Sequence, residues 1–407
     1  MQRVFAPVEI TATSGHITIA NRYDVRDLAH LRFDWALETA DGPAATGSLA
    51  TPPVPARAQV KVPMPDLPVH RDESWLTISA ALAEDQPWAP AGHEVAWGQL
   101  SLPSGDLPSG DLPRCDRSVP DVVRTTSRTH RSPQGRPMQR LDDGIALGAG
   151  VFDGRTGALI RFGGFAVDGP VLDLWRAPTD NDIGAKLDVA WRAVGLHRLH
   201  ERIVDVSIDT DELIVTSRIG AAATDLGYLY TMRWSSTSDR LDLRVNGDPI
   251  GDWPCPLPRL GVRMALPATL GHVGWVGHGP GEAYVDTRNA VRLGRFARDV
   301  DEMQTPYVRP QENGNRVDAR WLSLVDDAGA GLRIDGDPVF DFTVRRWTSA
   351  ALDAARHTND LRATDRIYLN LDVAQHGIGS ASCGPGTLPG YALTARPFEL
   401  RASLRLV

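Results

Sequence analysis

The sequence predicts an all-β protein made of two successive sandwiches. Three observations predict it: period-two alternation of apolar residues, dense turn chemistry, and a near absence of helical periodicity. Leu31, Phe33, Trp35 and Leu37 alternate with Arg32, Asp34, Ala36 and Glu38. That period places one face of a strand in a core. Leu76, Ile78, Ala80 and Leu82 repeat the pattern. Between them, Thr51 to Pro68 carries prolines at 52, 53, 55, 63, 65 and 68. Proline cannot donate to a ladder, so such a stretch suits edge strands and loops. About seven short strands in about 100 residues suit an immunoglobulin-like sandwich over residues 1–102.

The texture then changes. Ser104 to Pro113 reads Ser-Gly-Asp-Leu-Pro twice. Polar residues and prolines without apolar periodicity continue to about Pro137, so 103–137 reads as a linker or long surface loop. Strands resume over 138–407. Leu213 with Val215, and Leu241, Leu243 and Val245, mark two of them. One helix is expected: Leu187, Ala190, Trp191 and Val194 fall at i, i+3, i+4 and i+7, and Gly195 ends the run. So much β structure with one short helix implies a large two-sheet sandwich.

Composition bounds the function. The chain has 407 residues, 42% hydrophobic and 23% charged, the profile of a globular protein of two or three domains. No apolar run approaches the ~18 residues that span a bilayer, so no membrane role is expected. The first ten residues lack the apolar stretch of a signal peptide, which makes the cytoplasm the expected location. The net charge of −8 argues against nucleic acid as a partner. Lys61 and Lys186 are the only lysines, so arginine carries nearly all positive charge. Cys115, Cys255 and Cys383 are odd in number and widely spaced, which fits neither a disulfide framework nor a metal site. The eleven Trp serve as core anchors or as sugar-stacking surfaces.

The most specific stretch is Asp173-Leu-Trp-Arg-Ala-Pro-Thr-Asp-Asn-Asp-Ile-Gly184. Pro178 forbids a helix through it. Thr179, Asp180, Asn181 and Asp182 crowd acceptor side chains into one turn, where they cap a helix, build turns or hold a ligand. Further segments are equally particular: Ala91 to Gln99, Gly277-His-Gly-Pro-Gly-Glu-Ala-Tyr-Val-Asp286 with Arg288 behind it, Thr305-Pro-Tyr-Val-Arg-Pro-Gln-Glu-Asn-Gly314, and Ile367 to Cys383 with His376-Gly-Ile-Gly379.

Together these motifs, in this order, resemble the C-terminal half of family 2 glycoside hydrolases of the β-galactosidase type. The resemblance covers essentially the whole chain and departs from the family by one extra residue before Arg288. It implies that residues 1–102 are the second immunoglobulin-like domain. It implies that 138–407 are the final supersandwich domain, related to galactose mutarotase, as found in the β-galactosidase small chain. By the resemblance, Met1 falls where the catalytic barrel ends. Retaining glycosidases need two carboxylates about 5–5.5 Å apart. In this family both lie on the barrel, as do the ligands for Mg and Na, and neither catalytic motif occurs here. The expectation is therefore no catalytic residue, no metal ligand and no cofactor in this chain.

What the resemblance leaves to this half is the rim of the galactoside pocket. Asp180, Asn181 and Asp182 either face that mouth or cap the helix of Trp191. His376 is either a satisfied strand histidine or a sugar contact. The aligned position of the family's aglycone-stacking aromatic is Cys383, which either lines the pocket or is a buried inert cysteine. Glu282 and Glu312 are expected to satisfy backbone and Arg groups. The leading expectation is a C-terminal portion or small subunit of a retaining β-galactosidase acting on galactosides such as lactose. It would be inactive alone, partnered by a barrel-bearing chain or by its own copies. Two alternatives are a stand-alone mutarotase-like epimerase using His278 and Glu282, and a non-catalytic carbohydrate-binding module.

Overall fold

The computed structural model describes residues 3, 5–13, 15–68, 73–102, 138–141, 144–237 and 239–407. The expected linker 103–137, its tandem repeat and Cys115 lie outside the described residues. The chain divides into two compact units. One holds the N-terminal residues and Arg292–Arg295; the other holds the rest. The return of Arg292–Arg295 to the first unit has no counterpart in the sequence reading.

The first unit is two antiparallel sheets. Val8–Ala12, His16–Asn21 and Gln59–Pro63 form one, with Gln59–Pro63 at its edge. Gly42–Ser48, Leu31–Thr39, Ser74–Leu82 and Glu94–Leu102 form the other. Gln59–Pro63 is the only strand drawn from the proline-rich stretch, and its edge position is where proline is tolerated. Ile10, Ile17, Ile19, Phe33, Leu37, Leu76 and Ile78 pack between the sheets. Ser74–Leu82 departs from simple alternation. Trp75 and Thr77 are buried as well, and Trp75 Nε1 donates to Glu38 Oε2 at 3.1 Å.

The second unit is also antiparallel, but it is not two separate sheets. Its strands join in one continuous ladder. The 15-residue strand Gly331–Arg345 carries that continuity. Leu332–Gly336 pair with Phe398–Leu406, whereas Asp341–Arg345 pair with Arg366–Gln375. Between these halves lies Pro338, which has no N–H to give to a ladder. One strand thus changes partners along its length. Around it run Arg240–Ile250, Gly227–Ser236 and Glu212–Ala221 on one side. Arg259–Pro267 and Phe165–Asp173 follow on the other. Trp234, Trp275, Tyr228, Phe152 and Phe342 sit in its core, the anchoring role expected for most Trp.

The expected helix exists as Leu187–Ala193, with Trp191 fully buried. Two short helices were not legible: Asp180–Gly184 and Ser349–Ala354. Gly195 ends the helical segment at φ +79°, and an added Cβ there would lie 2.5 Å from the Ala221 Cβ. Both strain and overlap oppose any side chain. We predict that Gly195→Ala destabilises the protein by about 1–3 kcal/mol in urea unfolding. An unchanged midpoint would contradict this local geometry.

Candidate functional site

Four of the motifs come together at one place in the second unit, and buried charge holds them there. Glu312 is fully enclosed. Its Oε1 accepts from Arg345 Nη2 at 2.6 Å and from Arg259 Nη2 at 3.1 Å, and its Oε2 accepts from Arg345 Nη1 at 3.0 Å. Arg259 also donates through Nε to Asp372 Oδ2 at 3.0 Å and lies 3.9 Å from Asp173 Oδ2. Gln375 Nε2 donates both to Asp372 Oδ2 and to Asn315 Oδ1. Buried charges persist only when paired and hydrogen-bonded, and here each guanidinium and carboxylate has such partners.

The motif loops hang from this frame. Arg176, 0% exposed, donates to both oxygens of Asp182 and to the His376 carbonyl. Asp182 in turn accepts from the Thr179 N–H, and Thr179 Oγ1 accepts from the Asp182 N–H. This reciprocal capping box starts the helix Asp180–Gly184 just after Pro178. The Asp180 N–H donates to Gln311 Oε1, and Gln311 Nε2 returns a bond to Asp180 Oδ2. Asn181 ties the opposite flank, donating to the Gly379 carbonyl and accepting from Ser382. Asp286 Oδ2 accepts from the Gly379 N–H at 2.7 Å. Glu282 accepts from the Tyr307 hydroxyl at 2.7 Å and from the Gly314 N–H at 2.8 Å. Gly184 permits a close approach, since a Cβ there would meet the Ala381 carbonyl at 2.4 Å.

This geometry sorts the sequence-predicted residues. Asp180, Asn181 and Cys383 lie at or near the surface. Asp182 and His376 do not form a rim, being 1% and 3% exposed. Asp182 is withdrawn because it both neutralises Arg176 and caps its own helix. His376 is withdrawn because its Nδ1 accepts the Leu393 N–H and its ring stands edge-on to Trp191. The capping expectation also changes. Asp180, Asn181 and Asp182 belong to the preceding helix, while Leu187–Ala193 starts at Lys186 with no side-chain cap. Cys383 is exposed, not a buried inert cysteine. Glu312 and Glu282 do satisfy Arg and backbone groups. His278 lies 3.3 Å from Asp318, while Glu282 is engaged by Tyr307 and Gly314, so each is occupied by its own partners. Among the described residues, no cluster of three or more His, Cys, Asp or Glu is arranged to hold a metal ion.

Sequence reading missed Arg259, Arg345, Asp372, Gln311 and Tyr307 as site-building residues. Gln311 and Tyr307 sat inside a quoted motif. Arg259 and Arg345 lie outside all of them, and only their position in apolar strands hinted at burial.

Burial raises the Glu312 carboxyl, but Arg345 and Arg259 outweigh it and hold it below its ordinary value. Removing Glu312 leaves two buried guanidinium groups short of a counter-charge. We predict that Glu312→Ala costs about 3–5 kcal/mol in chemical denaturation, and Glu312→Gln less. A loss within the scatter of surface substitutions would show that the network does not hold the fold.

Two groups of this frame titrate oppositely. Burial, opposed by Arg259, pushes Asp372 up to about 7 from an ordinary 3.8. Between those values the folded chain holds a proton that the unfolded chain lacks, so this group adds stability as pH falls. Burial and Arg176 push His376 down to about 4 from 6.5. Between those values the unfolded chain binds the extra proton, so this group removes stability as pH falls. Asp372→Asn abolishes the first effect and keeps the second. Its melting temperature should therefore fall more steeply than the parent's from pH 6.5 to pH 4; parallel curves would contradict the assignment.

The chain is similar to known β-galactosidases. A family model described as "Beta galactosidase small chain" matches residues 149–405, and one described as "Beta-galactosidase, domain 4" matches 17–103. The β-galactosidase of Arthrobacter sp. (strain B7) is 30% identical over 438 residues, covering 98% of this chain and 41% of that protein. That of Kluyveromyces lactis is 27% identical over 420 residues, covering 99% and 37%. That of Vibrio cholerae is 33% identical over 366 residues, covering 84% and 33%. The chain thus spans about two fifths or less of the length of these relatives. Among solved structures, a galactose mutarotase related enzyme from Lactobacillus acidophilus covers 67% of this chain and 97% of itself, at 8% identity. Its TM-score of 0.32 carries no weight. Among the described residues no helix is long and apolar enough to cross a membrane, which says nothing of β-barrels. On the match of residues 149–405, the chain belongs to the β-galactosidase small-chain family.

Proposed function

We propose that this chain is the non-catalytic part of a retaining β-galactosidase, either a C-terminal portion or a small subunit. It hydrolyses terminal β-galactosides such as lactose only together with a barrel-bearing chain that supplies both catalytic carboxylates. One observation carries this reading. The motif face uses most of its acidic residues for structure: Glu312 is enclosed by Arg259 and Arg345, Asp182 by Arg176, and the half-buried Glu282 accepts from Tyr307 and Gly314. A glycosidase nucleophile and acid/base must instead reach a sugar from both sides. No metal ligand is assigned to this chain, and Mg and Na belong with the barrel. The helix Asp180–Gly184, with Asp180 exposed and Asn181 holding the loop of Cys383, forms the rim that completes the pocket. We place the assembled enzyme in the cytoplasm.

A chromogenic β-galactoside tests this. The purified chain alone should release no product above background, and activity should appear on mixing with a barrel-bearing β-galactosidase chain. Turnover by the chain alone, retained in a Glu282→Gln variant and lost in none of the carboxylate variants of the motif face, would trace to a contaminant. Turnover abolished by one such variant would overturn the proposal.

A further inference from the structure

Beyond the inward-facing charges, the motif face carries one aromatic ring fixed at the surface. Residues 306–309, Pro-Tyr-Val-Arg, are all exposed, and they stand between Thr305 and the buried Pro310–Gln311. Tyr307 is 37% exposed and Val308 85%. The tip is nonetheless anchored. The Thr305 N–H donates to Asn313 Oδ1, the Tyr307 N–H to the Thr305 carbonyl, and Gln311 Nε2 to the Arg309 carbonyl. Tyr307 spends its hydroxyl on Glu282 at 2.7 Å, so the ring is held at both ends while part of its surface stays open.

Apart from Val308, its surroundings are polar. Asp180, exposed, shares Gln311 with this loop and lies near enough to raise the Tyr307 hydroxyl pKa, after burial and Glu282. Asp180 Oδ2 accepts from Gln311, and no hydrogen bond to Oδ1 is found among the described residues. A rigid ring face beside a carboxylate acceptor suits a polyhydroxylated ring, which offers an apolar C–H face and hydroxyl donors. A protein partner would more readily cover an uncharged patch.

We propose that Tyr307, with Asp180 beside it, is a specificity-determining contact for the galactoside at the rim of the assembled pocket. The proposal rests on the reading of this chain as a β-galactosidase portion and adds the contact residue. The ring provides the contact surface; the hydroxyl positions the ring.

Three variants in the assembled enzyme test it: Tyr307→Ala, Tyr307→Phe and Asp180→Asn. The probes are lactose and an aryl β-galactoside, with kcat, KM and the dissociation constant of the two chains measured for each. Tyr307→Ala should raise KM about tenfold, the size of one lost contact worth ~1.4 kcal/mol, with kcat kept within twofold. Tyr307→Phe, which keeps the ring, should raise KM far less than Tyr307→Ala does, while both Tyr307 variants lose the Glu282 bond and melt at lower temperature. Asp180→Asn should raise KM less than Tyr307→Ala does. An unchanged KM in Tyr307→Ala would overturn the contact. Equal KM changes in Tyr307→Ala and Tyr307→Phe would reduce Tyr307 to a structural role and also overturn it. A weakened association of the chains at unchanged KM would identify the tip as a protein contact instead. If the parent chain supports no activity on mixing, the underlying reading fails, not the assignment of Tyr307 within it.

Discussion

The rest of the second unit depends on the pairing of Glu312 with Arg259 and Arg345. Those three groups come from a loop and two strands, and all are at most 2% exposed. Isolating any one in the interior is expensive, so each strand that carries a charge must arrive beside the others. Arg259 then recruits Asp372 and Asp173, Asp372 recruits Gln375, and Gln375 reaches Asn315. The loop that carries Glu312 is tied to the core strands through this chain of bonds. A network of this kind specifies one arrangement, because any other leaves a charge unpaired.

How much of this could be read from the residues alone depended on range. Alternation is local, so Leu31–Leu37 and Leu241–Val245 announced their strands, and the apolar spacing around Trp191 announced its helix. The five-residue helix at Asp180–Gly184 is too short to show a period. Its signal is Thr179 three residues before Asp182, a capping pattern; the sequence reading offered Asp180, Asn181 and Asp182 either to the pocket mouth or as a cap for the next helix. The buried ion pairs left almost no local trace. Arg259 stands 53 residues from Glu312 and 113 from Asp372, and no periodicity links positions so far apart. The same blindness left the rim open as a place for Asp182 and His376, beside the alternatives of a helix cap and a satisfied strand histidine: their polarity was legible, but the Arg176 that draws Asp182 inward and binds the His376 carbonyl was not assigned a role.

The proposed division of labour has a physical basis. Carboxylates locked against guanidinium groups make good scaffolding and poor catalysts, since they cannot approach a substrate or exchange protons freely. What such a scaffold offers a larger enzyme is precision. It sets Asp180, Asn181, the Cys383 loop and Tyr307 around one short helix, each tied to a different neighbouring segment. Under the proposed function, a pocket completed from this side would receive contacts whose positions are fixed before any sugar arrives, which is the condition for binding energy to be spent on recognition.

The most direct test of this account is backbone amide hydrogen exchange on the parent chain and on Glu312→Ala, at a denaturant concentration where both remain folded. If the buried charges hold the motif loops as one body, protection should fall together in 176–184, 311–316 and 375–379, though only the middle segment contains the substitution. The strands Glu212–Ala221 and Arg240–Ile250, remote from the network in the ladder, should keep theirs. Loss confined to 311–316, with the other two segments protected as in the parent, would contradict the central role given to this network.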